Sequence, residues 1–166
     1  MTIIVRRPAL TDAAGAGMAA ALIARHHLGD RVDDAYWRDH GEEAEVQRWH
    51  DIFLSPLHGT RIALALTHRR VVGICAMAPV GRNDRSGELA ARERELFYFG
   101  VLPDFATDDL YQRLLDFVVA DRGPVQAWVW RDDRTIRRFL RLNGFTLDGM
   151  SLSDPETGLE YSRLVR

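Results

Sequence analysis

The chain has 166 residues, 46% hydrophobic and 28% charged, with a formal net charge of −2. That composition suits a soluble globular domain with a sizeable core, and it gives no electrostatic argument for nucleic acid or membrane partners. No charged-then-apolar leader opens the chain, no apolar run reaches the roughly 18 residues that would suggest a membrane span, and the one cysteine, Cys75, excludes an intrachain disulfide. The expectation is a cytoplasmic protein. All 22 basic residues are arginine, so no lysine is available for self-acetylation or a Schiff base.

Taken in chain order, Ile3 to Arg7 reads as a strand stopped by Pro8. Thr11 or Asp12 caps a helix of small residues that runs to about His27. Its early Gly15 and Gly17 suggest close packing or modest stability. A second helical stretch runs from about Asp34 to Leu54, with Val46, Trp49, Phe53 and Leu54 on its apolar face, and Ser55-Pro56 ends it. Arg61 to Thr67 and Val71 to Val80 read as two strands joined by a tight turn at His68-Arg69-Arg70. Cys75 lies inside the second of these and reads as a buried thiol. Gly81 to Ala91 is a polar loop without periodicity.

The run from Glu93 to Asp121 is the most telling. Leu96 to Leu102 is an apolar and aromatic strand, and Pro103 stops it because proline cannot donate to a ladder. Thr107 is a good N-cap, and Leu110, Tyr111, Leu114, Leu115 and Val118 follow at helical spacing. A strand, a short loop and a free helix N-terminus together make a ready anion site. Beyond it, Val125 to Trp130 is another strand. Asp133 starts a helix with Ile136, Phe139, Leu140 and Leu142 facing inward, and Asn143-Gly144 closes it with a left-handed cap. Phe145 to Leu147 and Leu159 to Val165 read as the last strands.

Val101-Leu102-Pro103 and the helix after it resemble the acyl-CoA binding motif of the GNAT superfamily of N-acyltransferases. Arg131 to Phe145 resembles a second family segment, with Phe139, Gly144 and Phe145 matching. The resemblance covers essentially the whole length. It implies one α/β (α+β) domain over residues 1–166, with a mixed, mostly antiparallel sheet of six to seven strands flanked by about four helices. It also implies transfer of an acetyl or other acyl group from acetyl-CoA or another acyl-CoA to a small-molecule amine or a protein amino group.

By the same resemblance, the Val101 amide polarises the acyl carbonyl, while Leu102, Thr107 and Arg134 belong to the donor site. Glu95 is the candidate base and Tyr98 a candidate acid. Glu93 and Glu95 share a face by strand alternation, as do Phe97 and Phe99; the two glutamates also suit ordinary surface positions. Arg131, Arg134, Arg137 and Arg138 form a basic cluster that suits either a phosphate or solvent. The four tryptophans suit either the core or an apolar pocket, and the histidines show no metal spacing.

The chain departs from the family where chemistry is expected. Aligned from Pro103, the phosphate-loop positions fall on Ala106, Asp109 and Tyr111, so both loop glycines are replaced. Glycine lets backbone approach a phosphate closely, and here Asp109 and Tyr111 fill that space. Asp108 and Asp109 sit in the first helical turn, where a pyrophosphate would lie. Like charges 4 Å apart cost roughly 4 kcal/mol at an effective dielectric of about 20, more than the ~1 kcal/mol a helix terminus returns. Leu140 stands where many family members have a tyrosine that protonates the leaving thiolate. Two readings stay open: an acyltransferase with an atypical CoA site, and a non-enzymatic module binding a small ligand or a protein. A homodimer through edge strands or the first helices is a further expectation.

Overall fold

Residues 2–166 are described by a computed structural model. The chain runs β1 (Ile4–Arg6), α1 (Ala13–Leu28), α2 (Asp34–His40), α3 (Glu42–Leu54), β2 (Arg61–Thr67), β3 (Arg70–Pro79), β4 (Arg94–Val101), α4 (Asp108–Val118), β5 (Gln126–Trp130), α5 (Arg134–Leu142), β6 (Thr146–Ser153) and β7 (Glu160–Val165). The strands form one sheet in the order β1-β2-β3-β4-β5-β7-β6. Every neighbouring pair is antiparallel except β4 and β5, which run parallel. This is a single-domain α/β fold with the mixed, mostly antiparallel sheet the sequence predicts.

Local chemistry explains most boundaries. Thr107 accepts a hydrogen bond from Leu110 N at 3.2 Å and starts α4, and Asp133 does the same for α5 from Ile136 N at 3.0 Å. Gly144 has φ +83°, and Phe145 N donates to Leu140 O at 3.1 Å, the left-handed closure expected after α5. The β2–β3 turn forms at His68 and Arg69, with φ of 46° and 66°. Two consecutive left-handed residues match the right-handed twist of the hairpin, here without a glycine.

Three segments and two side chains differ from the sequence reading; of the side chains, Leu54 and Leu142, read as inward-facing, end their helices 61% and 69% exposed. The single stretch Asp34 to Leu54 is broken at Gly41, whose extended backbone (φ −78°, ψ −170°) ends α2 and caps α3. Strand β6 extends to Ser153, well past Leu147; it is a sheet edge with mostly exposed side chains and an irregular register against β7, so no apolar alternation marks it. On β4 the register shifts: Met77 pairs with Leu96, but Ala76 pairs with Tyr98. Phe97 is therefore an extra residue, a β-bulge, and alternation fails there. Phe97 and Tyr98 pack together on the side of Trp49, whereas Phe99 packs on the opposite face against Tyr111 and Phe139. The expectation that Phe97 and Phe99 share a face is corrected by this bulge.

Helices α1 and α3 cover one face of the sheet, and α4 and α5 the other. Trp49 on α3 is fully buried, as are Leu114 on α4 and Cys75 on β3. Burial pushes the Cys75 thiol well above its ordinary range, so it is an inert core group. Among the described residues, no helix is long and apolar enough to cross a membrane, and no group of three or more His, Cys, Asp or Glu side chains is placed to hold a metal ion.

The small residues of α1 serve close packing. A Cβ on Gly17 would lie 2.3 Å from Val46 Cα and 2.4 Å from Val46 N, so α1 and α3 touch backbone to backbone. Gly17→Ala must push the helices apart and is expected to cost about 1–3 kcal/mol. Urea denaturation should show a lower midpoint with unchanged slope; an unchanged midpoint would refute this contact.

Candidate active site

Strands β4 and β5 pair only at Glu95↔Gln126 and Leu96↔Ala127, then part. The bulge at Phe97 begins where the pairing stops. On the other edge of β4, Leu102 N donates to Val72 O at 2.8 Å. Antiparallel alternation then turns the Phe99 and Val101 amides away from β3, toward the splay. An extended ligand lying there would meet an unpaired strand edge.

Three cavities meet at the splay. A slot of about 120 Å³ lies between the strands, walled by Phe97, Phe99, Trp128 and Trp130 and floored by Ile136 and Leu140. A cavity of about 450 Å³ opens on the α1–α3 side, bounded by His27, Tyr36, Glu45, Arg48, Arg85 and Tyr161. A third, of about 280 Å³, lies under the end of α3 and contains Glu95. Phe97 borders all three. The tryptophans thus divide: Trp49 is core, and Trp128 and Trp130 line the cleft.

A buried polar network holds the closed end. Gln126 is fully buried, and its amide nitrogen donates to Glu95 at 2.7 Å and to Asp84 at 3.0 Å. Its carbonyl oxygen accepts from the Ala91 and Arg92 amides at 2.8 and 3.0 Å. Asp84 also accepts from Arg163 at 2.8 Å and from Trp128 Nε1 at 3.2 Å, and Arg163 reaches Asp148 at 2.7 Å. The loop between β3 and β4 is thereby fixed to β5, β6 and β7. Burial works against the Asp84 carboxylate, but hydrogen bonds from Ser86, Arg163 and Gln126 outweigh it and hold its pKa at about 2.

Glu95 is half-buried, and burial raises its pKa while the Gln126 hydrogen bond opposes this. Tyr98 lies on the 450 Å³ cavity; burial, with the Glu45 charge added, pushes its phenol far above the ordinary tyrosine range. Val101 and Leu102 are buried against the core that includes α4. The Thr107 hydroxyl is occupied in capping. Arg134 is exposed at the start of α5 and borders none of the three cavities. Glu95 and Tyr98 therefore border different cavities at the splay, the Val101 amide faces it from farther along β4, and Thr107 and Arg134 line none of the three cavities.

Sequence reading missed Glu45, which lines the large cavity and bonds Arg48 at 3.2 Å. It also missed a mouth built by α2 and the β6–β7 turn, where Tyr36 stacks on His40 at 4.3 Å and His40 meets Glu156 at 3.0 Å. Neither has a local sequence signal. His27, also on this cavity, has its pKa lowered by burial, with Asp133 opposing and His26 reinforcing the shift.

No protein-family profile matches the sequence, and no curated protein does. Solved structures do. The PaiA N-acetyltransferase of Thermoplasma acidophilum, in complex with coenzyme A, superposes with a TM-score of 0.68 at 14% identity, covering 98% of each chain. The ribosomal-protein-S5-alanine acetyltransferase of Vibrio fischeri gives 0.68 at 13% identity over 100% of this chain and 93% of that one. Arabidopsis thaliana NAA60, in complex with a bisubstrate analogue, gives 0.65 at 11% identity, covering 99% and 97%. Identity this low carries the fold alone: the chain has the fold of the GNAT acetyltransferases.

Coenzyme A can be tested against the residues present. The unpaired β4 edge fits an extended, amide-bearing arm. The N-terminus of α4 does not fit a diphosphate. Asp108 and Asp109 occupy its first turn, and the Tyr111 phenol is pushed up to about 12 by burial and then by Asp133 and Asp108. Two arginines lie by this turn and both are already engaged: Arg138 meets Asp108 at 3.3 Å and Arg113 meets Asp109 at 3.9 Å. The Tyr111 ring itself turns inward, 5.3 Å from Phe99 and 5.5 Å from Phe139. The obstruction is thus mainly one of charge, where the sequence alone suggested bulk as well.

The network makes a pH prediction. Asp84 titrates below its ordinary 3.8, at about 2 when folded. Its contribution is complete above about pH 4 and lost as pH falls through about 2. Asp84→Ala leaves Arg163 buried with Asp148 as its remaining carboxylate, and unfolding in urea at pH 7 should show a loss of roughly 3–5 kcal/mol. A loss below 1 kcal/mol would contradict the network's role.

Proposed function

We propose that the protein transfers an acyl group to an amine held in the cleft, from a thioester gripped by its arm more than by its phosphates. The parting of β4 and β5 carries this reading. It leaves the Phe99 and Val101 amides free on the β5 side of β4, next to a slot that Phe99 lines, while Glu95 sits at a paired position and borders the neighbouring 280 Å³ cavity. The larger cavity adds the carboxylates Glu45, Asp133, Asp154 and Glu156 against Arg48 and Arg85, with aromatic walls. That surface suits a cation, by charge and by cation–π contact. The acceptor is a small-molecule amine or a protein amino group, and a lone buried thiol suits a cytoplasmic setting.

The division of labour follows from position. An acyl thioester supplies the activated carbonyl. Glu95, its pKa raised, accepts the proton an ammonium must lose before its lone pair can attack. The strand amides face the oxygen where charge develops. Tyr98 is the proposed donor to the leaving group because Leu140, buried at the floor of the slot, has no proton to give. Asp108 and Asp109 favour a second reading, a module that binds a ligand on this scaffold without transferring anything.

Two outcomes test the first reading. With an amine panel and acetyl-CoA, Glu95→Gln should lower the transfer rate by roughly 10²–10⁴. Asp108→Asn with Asp109→Gly should tighten acetyl-CoA binding at least about tenfold by calorimetry. No product from any amine, with acetyl-CoA bound at saturation, would sink the transferase reading and leave the second.

A further inference from the structure

The cavity under the end of α3 differs in chemistry from its two neighbours. Ile52 and Leu57 close it from the helix side, Ala78 and Val80 from β3 and its continuation, and Phe97 from β4. Among the described residues, Glu95 is the one charged side chain lining it. Among the described residues no arginine or histidine forms an ion pair with Glu95; its hydrogen bond is the one accepted from Gln126 at 2.7 Å, through Oε2. The second carboxylate oxygen, Oε1, is left without a protein partner.

An apolar hollow ending in an unpaired carboxylate selects its own ligand. A neutral apolar body would remove water from the carboxylate without replacing its hydrogen bonds, which is costly. An anion would be repelled. A compact apolar body carrying one ammonium satisfies both walls and carboxylate, because the charge-assisted hydrogen bond is then made in a partly dry site. A volume of about 280 Å³ accommodates an aromatic ring with a short side chain.

We infer that this cavity binds the body of an apolar primary amine, with its ammonium on Glu95, and so sets the acceptor class. The inference deepens the amine-acylation reading, because Glu95 is the base in that reading. Phe97 lines both this cavity and the slot, so the two adjoin at that side chain.

The test is calorimetric titration of the full chain with phenethylamine, with its neutral isostere 2-phenylethanol, and with ethanolamine. Phenethylamine should bind at least tenfold more tightly than either comparator. Glu95→Gln, which keeps an acceptor for Gln126, should reduce the preference over the alcohol to within about twofold while the fold persists. Leu57→Trp, at an exposed rim position, should weaken phenethylamine by tenfold or more while the fold persists. Equal binding of amine and alcohol by the wild-type chain would overturn the inference, as would an undiminished preference in Glu95→Gln. Preferential binding without any acyl transfer would support this site and remove the transferase reading; transfer without preferential binding would do the reverse.

Discussion

Strands β4 and β5 hold together over two residue pairs and then separate, and the rest of the site depends on that separation. Two features enforce it. The bulge at Phe97 breaks the pleat of β4 where pairing stops. The buried Gln126, held by Glu95, Asp84 and two loop amides, locks the strands together just before it. Buried polar groups in such a cluster must all be satisfied, so the closed end is stiff while the open end presents free backbone. Phe97 then stands at the meeting of slot, large cavity and apolar cavity because a bulge places its side chain with that of Tyr98 on one face.

At the other end of β4 the same scaffold meets an electrostatic conflict. A helix N-terminus offers about half a positive charge to an anion. Here two carboxylates take up that field, and the two nearby arginines, Arg138 and Arg113, are each engaged by one of them. A diphosphate at this point would have to compete with the two carboxylates for the helix terminus and for both arginines, and on the proposed reading a nucleotide-bearing donor is held mainly by its arm. The cleft and the α4 terminus thus differ in character: the first presents free strand amides, the second two carboxylates.

Much of the fold was legible because local chemistry and tertiary packing agree. Thr107 and Asp133 cap the helices their positions suggest, and α4 buries the periodic face of Leu110, Leu114 and Val118. The hairpin turn at His68 and Arg69 was readable from the strands on either side, although Arg69 does not favour a left-handed backbone. What stayed hidden depends on partners far apart in sequence. One extra residue in the apolar run Leu96 to Val101 leaves no mark, yet it moves Phe99 to the opposite face from Phe97. Asp84 sits in an unpatterned loop, and only the approach of Arg163, 79 positions later, makes it a structural centre. Glu95 could be named from its place on the strand, but the apolar cavity beside it is assembled from α3, β3 and β4 and has no linear signature.

The central claim is that this cleft handles an acyl donor through its arm, with little help from phosphates. The most direct measurement compares kcat/KM for acetyl transfer from acetyl-CoA and from S-acetyl-pantetheine onto the same amine at fixed ionic strength. If the carboxylates of α4 cancel the phosphate contribution, the two donors should agree within about tenfold, or 1.4 kcal/mol. A preference for acetyl-CoA of about a thousandfold or more would mean that the diphosphate is firmly held, and would contradict the account.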